Sequence, residues 1–402
     1  MGGKSEVDEA FAVYRAFLWA IGVWPLEEKS FSQILRYIVA AVVQVTFLLH
    51  TFTEILLNNG KVSDMVDVFF FSSAAFLTFA KHTYLHLHKD AIRENLRCYL
   101  DDWSNTKDEH FLRIMREHVK IYKYQFHIYN LCGYVGTTLF MCRSILINIL
   151  AKRQLGPGES YNYQFICQTS YLSQDTLAKY YPIIMAIQYI QCMYCCTSGA
   201  CTDCFFFGLV FHLCAQFEIL KIKWERLGTK DFGVTAVHDR VKVNALIARH
   251  KELVKLGENL ESGFNNTILV QLMISIVLIC MSGCSILVAI MRNDHVTMLI
   301  STNSISFMVT ETLIYGYASD YLVTQSESIV QAVYSSSWYD MDSSVKKDIV
   351  FVMMRAKIPL HITAGKFFCV TRNTIVQLLK TSVSYLSVLR LTLEMSHQEG
   401  QL

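Results

Sequence analysis

Long apolar blocks alternate with shorter polar ones along this chain. Seven blocks have the length and lack of charge that a membrane crossing needs: Tyr37–Leu57, Met65–His88, Tyr124–Ile149, Tyr180–Phe217, Phe264–Met291, Val296–Leu322 and Lys357–Leu391. A hydrocarbon core of roughly 30 Å takes about 20 helical residues. Lipid offers no hydrogen-bond partner to irregular backbone, so such blocks are expected to be helices. The expected fold class is an all-α membrane protein with seven transmembrane helices. Length and missing charge carry this reading, and periodicity adds little.

The polar intervals set an orientation. With the N-terminus in the cytosol, inner segments hold 25 Lys and Arg, counting Lys357 at the inner edge of the last block, outer segments hold 5, and the remaining 6 lie in the spans or at their ends. The positive-inside rule therefore predicts a cytosolic N-terminus and an extracellular C-terminus, the reverse of a G-protein-coupled receptor. This parity depends on Tyr37–Leu57, which carries Glu54 at its outer end. The block Tyr180–Phe217 is too long, at about 57 Å for its length. Its inner excess is expected to project into the cytosol as a helix apolar on one face. Together with the inner extensions of spans five to seven, and with Leu253, Leu256 and Leu260 at helical spacing, it should form a cytoplasmic anchor bundle where subunits associate. The expected divisions are a cytosolic segment (1–36), spans one to four (37–217), a cytosolic linker and anchor helix (218–263), spans five and six (264–325), an anchor segment (326–368), a pore-lining seventh helix (369–391) and an extracellular tail (392–402).

Composition agrees. Of 402 residues 52% are hydrophobic and only 17% charged, against about a quarter in soluble domains. The net charge of +2 is spread between the apolar blocks, without the continuous basic patch a nucleic-acid partner would need. No signal-peptide pattern opens the chain, so the first span would itself direct insertion. No phosphate-binding Gly-rich loop, His-Glu-x-x-His motif or nucleophile elbow is present, so neither an enzyme nor a cofactor is expected. Cys192, Cys195, Cys196, Cys201 and Cys204 share one span, where small polarizable side chains are expected to pack helices rather than bind metal. His82 and His86 share a helix face, with the bland reading of interfacial histidines favoured over a metal pair. The sequon at Asn265 falls on the cytosolic side and is expected to be unused.

Ionisable groups inside spans are costly and often functional. Arg143 either snorkels outward or pairs with Glu54 or Asp67. Asp203 is expected in a hydrogen bond within the helix bundle, and Glu311, beside Thr310 and Thr312, in a polar cavity; Asp320 shares its span. The last span has a polar stripe running through Gln377, Lys380/Thr381, Ser384 and Ser387/Val388 to Leu391, opposite Ile375, Leu378, Leu379, Leu386 and Leu389. Such a face needs polar helices or water, and a water-filled path is favoured. Ala364-Gly365 marks a helix break upstream. An apolar ligand pocket is expected in the outer half of the membrane between spans two, three, four and six. Its candidate residues are Phe69, Phe70 and Ser73, Met141 and Ile145, Ile187 and Tyr189, with Thr302 and Ile305.

The closing stretch adds a resemblance. Arg355-Ala356-Lys357-Ile358-Pro359-Leu360, Thr363-Ala364-Gly365, Phe367-Phe368 and Leu379 to Arg390 resemble the C-terminal signature of insect odorant receptors. Pro182, Asp203, His212 and Gln216-Phe217 look like that family's fourth span. Arg249-His250 with Leu253, then Gln325-Ser326-Glu327, Tyr334 and Trp338-Tyr339, are similar to its segments around spans five and six. Val383-Ser384-Tyr385 stands where many members have Tyr-Ser-Tyr. The Gln-Phe ending of gustatory receptors is missing, as is the coreceptor's long insertion between spans four and five. The resemblance implies a ligand-tuning subunit that binds a small volatile odorant and joins a coreceptor in a heterotetramer. It further implies a cation channel in the plasma membrane of a sensory dendrite, and the stripe of the last span sets Ser384, Val388 and Leu391 as its expected gate. Trp338 and Tyr339 are the expected subunit-interface anchors. A gustatory-type channel, and a G-protein-coupled receptor or transporter, are the competing classes.

Overall fold

A computed structural model describes residues 15–57, 62–154, 161, 163–227 and 236–399. Nine long helices hold most of the described chain: α1 (Phe31–Leu57), α2 (Val62–Leu87), α3 (Lys89–Asn105), α4 (Glu109–Gln154), α5 (Gln174–Glu225), α6 (Ala236–Arg292), α7 (His295–Ser335), α8 (Ser343–Ala356) and α9 (Arg372–Glu399). By length and composition, Phe31–Leu57, Glu109–Arg153, Gln174–Glu225 and Arg240–Arg292 can each cross a membrane. The other three predicted spans lie on α2, α7 and α9. These are the helices that carry Asp67 and Lys81, Glu311 and Asp320, and Arg372 and Lys380, and such groups dilute an apolar block.

The helices overrun their predicted spans. Helix α5 is 52 residues long, about 78 Å at 1.5 Å per residue, and α6 runs for 57 residues. Every residue of α5 from Ser198 to Phe217 is buried. The expectation of one apolar face is corrected here: neighbours cover the segment all round, its polar Asp203, His212 and Gln216 included. Helices α4, α7, α6 and α2 pack against it. The core around it includes Phe205, Phe206, Phe207, Phe211 and Trp224 of α5 with Leu253, Leu256 and Leu260 of α6 and Ile329, Ala332 and Val333 of α7. A smaller cluster, Phe47, Phe71, Phe140, Met185 and Ile300, sits toward the other end.

Polar groups lock the long extensions. Arg249 of α6 donates to Asp102 of α3 at 2.6 Å and to Gln216 of α5 at 3.0 Å, and His212 lies 2.9 Å from the same carboxylate. Burial by itself would raise the Asp102 pKa, but His212 and Arg249 hold it below the usual carboxylate value.

Lys357–Leu391 is not one continuous span, which corrects that boundary. Thr363–Ala364 pairs antiparallel with Phe368–Cys369, and α9 begins only at Arg372. The turn needs positive φ at Gly365 (57°) and Lys366 (62°), values that end a right-handed helix. A Cβ at Gly365 would also stand 2.5 Å from a Leu269 methyl. The break expected at Ala364-Gly365 is therefore a hairpin, seated on α6 by the Gly365 amide donating to the Asn265 carbonyl at 2.9 Å.

Candidate ligand cavity and its charged floor

Helices α2, α4, α5 and α7 enclose a cavity of about 130 Å³, with Phe47 of α1 and Leu278 of α6 at its edges. Small residues open the space: Ala74 and Ala75 on α2, Gly133 and Gly136 on α4, and Gly199 and Ala200 on α5. At Gly136 a Cβ would stand 2.8 Å from the Asn303 amide nitrogen, so glycine there leaves room for that side chain of α7. Aromatic rings form the walls. Phe71 meets Phe140 edge-on at 4.9 Å between centroids, and Tyr129 packs on Phe307 at 4.4 Å. Thr137, Asn303 and Ser304 add a few polar atoms to an otherwise apolar lining, the composition typical of small-molecule sites. A second cavity between α4 and α7 adjoins the first and shares Tyr129, Cys132, Asn303 and Phe307 with it.

One end of the cavity is charged. The Lys81 ammonium lies 2.7 Å from the Asp203 carboxylate and 3.3 Å from Glu311 Oε1. Tyr315 donates to Asp203 Oδ1 at 2.6 Å and Tyr129 to Oδ2 at 3.1 Å. Lys81, Asp203 and Glu311 are each at most 2% exposed. Taking an ion out of water costs several kcal/mol, which only close pairing offsets. Asp203 is thus a hydrogen-bonded bundle residue, as expected, whereas Glu311 lines one end of a mainly apolar cavity rather than a polar one. Lys81, which joins them, was not singled out by the sequence. Its signal was available: two carboxylates in separate spans need a cation, and Lys81 is charged within an apolar block.

The predicted pocket residues distribute differently. Of the nine, only Phe70 lines the cavity. Phe69, Ile145 and Ile187 face outward at 41, 37 and 52% exposure, and Thr302 is exposed too. Ser73 and Ile305 are half-buried away from the lining. Met141 and Tyr189 pack on the outer apolar cluster, with the Tyr189 hydroxyl 3.2 Å from Thr138 Oγ1. The named residues lie on the helices that surround this cavity, but Phe71, Tyr129, Phe140 and Phe307 are the rings that hold its walls. Nothing in a helix apolar on most faces tells its cavity side from its lipid side.

Elsewhere, Arg143 pairs with Asp67 at 2.9 Å, while Glu54 accepts from the Ser170 amide at 2.8 Å. His82 and His86 pack on the Tyr37 ring at 4.9 and 3.8 Å, and His82 Nε2 lies 3.0 Å from the Ile21 carbonyl. Cys192, Cys195, Cys201 and Cys204 are buried in the helix packing. On α9, Ile375 is buried and Leu378, Leu379 and Leu386 are half-buried, while Ser384 and Val388 are exposed. The side chain of Leu391 lies outside the described residues. Trp338 packs on the main core, whereas Tyr339 is 61% exposed.

A family model described as 7tm Odorant receptor matches residues 61–383. The chain belongs to the insect odorant receptor family. Odorant receptor 13a of Drosophila melanogaster is 24% identical to this receptor, with 95% of each chain covered. Putative odorant receptor 69a, isoform B, of the same species is 21% identical over 74% of each. The solved olfactory receptor OR5 of Machilis hrabei superposes with a TM-score of 0.78 at 12% identity, covering 96% of this receptor and 98% of that chain. Its complex with eugenol superposes with a TM-score of 0.76 at 11% identity, covering 97% and 98%. The receptor is thus a membrane-embedded, ligand-binding odorant receptor of all-α fold and not an enzyme.

Proposed function

We propose that this receptor is a ligand-tuning subunit that binds a small volatile ligand in the α2–α4–α5–α7 cavity and gates a non-selective cation channel formed with a coreceptor. The observation that carries the reading is the apolar, aromatic-walled cavity between these helices. An apolar volatile gains affinity by leaving water for such a site, and the few polar atoms orient it. A receptor of the same fold solved with eugenol favours a small organic ligand here. Two-faced α9 supports the pore assignment: its apolar side packs on α6 and α7, and its other side presents Ser384 and Val388 outward. The N-terminus is cytosolic, the C-terminus extracellular, and the location the plasma membrane of a sensory dendrite.

The test is current recording from cells expressing the receptor with and without a coreceptor, against an odour panel. Ligand-evoked cation current that needs both chains is expected. Phe71→Ala and Met308→Ala should reorder the ligands by potency. An unchanged rank order in both variants, at normal surface expression, would place the binding site elsewhere. Accessibility of N- and C-terminal tags on intact cells checks the orientation.

A further inference from the structure

The charged floor is unevenly satisfied. Asp203 accepts from Lys81, Tyr129 and Tyr315. Glu311, which lines the cavity, accepts from Lys81 through Oε1, and its buried Oε2 has no hydrogen-bond partner of good geometry. The single hydrogen of Tyr315 goes to Asp203, and that of Tyr129, which lies within reach of both carboxyls, can serve only one of them at a time. An unsatisfied buried carboxyl oxygen is costly, and a structure keeps one where something else completes it. The trio also holds one cation against two carboxyls, so the Glu311 carboxyl is either charged and short of a donor or carries a proton. A hydroxyl pairs with both forms, donating to the first and accepting from the second. An ether or a ketone pairs with the protonated form alone.

We propose that the cavity recognises a hydroxyl-bearing ligand, an aliphatic alcohol or a phenol, whose O–H meets Glu311 Oε2 while its apolar body fills the aromatic end. The claim rests on the cavity being the ligand site. Size bounds the ligand: about 130 Å³, at roughly 10–15 Å³ for one water-sized volume, corresponds to about ten non-hydrogen atoms. A site built to bond a hydroxyl discriminates strongly against an analogue that lacks it, because a buried group is then left unpaired.

The experiment compares isomeric pairs of primary alcohol and methyl ether from six to ten carbons, such as 1-octanol against 1-methoxyheptane, on the full receptor with its coreceptor. In the wild type the alcohol should be at least about tenfold more potent than its isomer, the scale of a hydrogen bond to a charged group. Glu311→Leu should bring the pair to parity by removing the acceptor. Glu311→Gln, which preserves shape and adds an N–H, should raise the potency of the ether relative to the alcohol; it also serves if the leucine variant fails to reach the surface. Equal potencies in the wild type, no response to any alcohol in the range, or an alcohol preference that survives both substitutions would each overturn the proposal. Phe71→Ala and Met308→Ala separate the two claims. If they reorder responses while the isomers stay equal, the cavity stands and the hydroxyl claim fails. If they change nothing, the cavity reading fails first.

Discussion

Asp320 of α7 ties down the first residue of α9: its Oδ2 accepts from the Arg372 backbone amide at 3.0 Å and from Arg372 Nε at 2.8 Å. One turn earlier, Gly316 lies so close to α9 that a Cβ would stand 2.9 Å from Ile375. The same helix supplies Asn303, Ser304, Phe307, Met308 and Glu311 to the cavity. Helix α7 therefore touches both the proposed ligand cavity and the root of the last helix. A carboxylate at a helix N-terminus also meets unpaired N–H groups and the positive end of the dipole.

Asp320→Asn should accordingly loosen the link without disturbing the cavity. Concentration–response curves are expected to shift several-fold to higher ligand, the size of a coupling of about 1 kcal/mol, with the rank order of ligands kept. A changed rank order, or no shift at normal surface expression, would separate this contact from gating.

The two faces of α9 predict opposite phenotypes. Leu386 covers Gly283 of α6, where a Cβ would stand 2.6 Å from a leucine methyl, so Leu386→Ser should lower folded yield by removing buried contact area. Val388, 62% exposed in the subunit, should behave differently. Val388→Ser is expected to leave yield unchanged and to raise unliganded current, because an apolar constriction excludes water when closed. Whole-cell leak and surface labelling, measured together, discriminate the two.

At the predicted subunit interface the structure separates two neighbours. Trp338 is packed on its own core and Tyr339 is outward. Trp338→Ala should cost the subunit about 3 kcal/mol, as truncation of a packed aromatic does. Tyr339→Ala should leave the subunit stable and weaken assembly, visible as a loss of the higher oligomer on native gels. A stable Trp338→Ala subunit that fails to assemble would reverse the assignment.

His250, on α6 ahead of the expected span Phe264–Met291, gives a pH signature. Burial, and then the nearby Arg355 charge, push its pKa from 6.5 down to about 4. The unfolded chain takes up this proton first. The neutral, buried form therefore contributes its full stability above about pH 6.5, and that contribution is lost progressively as pH falls toward 4. The upper bound is about 3 kcal/mol from the shift. Thermal midpoints of the detergent-solubilised receptor should drop more steeply between pH 7 and 5 than those of His250→Gln. Parallel curves would remove His250 as the cause.

The sequence by itself determined the class of molecule. Apolar blocks too long and too poor in charge for a soluble core require membrane helices, since lipid satisfies no backbone group. The C-terminal residues from Arg355 to Arg390 pointed to the family. The alternation on α9 likewise told its packed face, with Leu386, from its outward face, with Ser384, because polar residues alternate there with apolar ones at helical spacing. What only the tertiary structure decided was rotation and pairing. Phe69 and Phe71 are equally apolar, and only the approach of α4 and α5 turns Phe71 inward to Phe140 and leaves Phe69 outward. Lys81, Asp203 and Glu311 lie on three helices far apart in the chain, and no local pattern records that one ammonium stands between two carboxylates. Local spacing can say which face of a helix is unlike the others, but which neighbour that face meets is set by packing between segments distant in sequence.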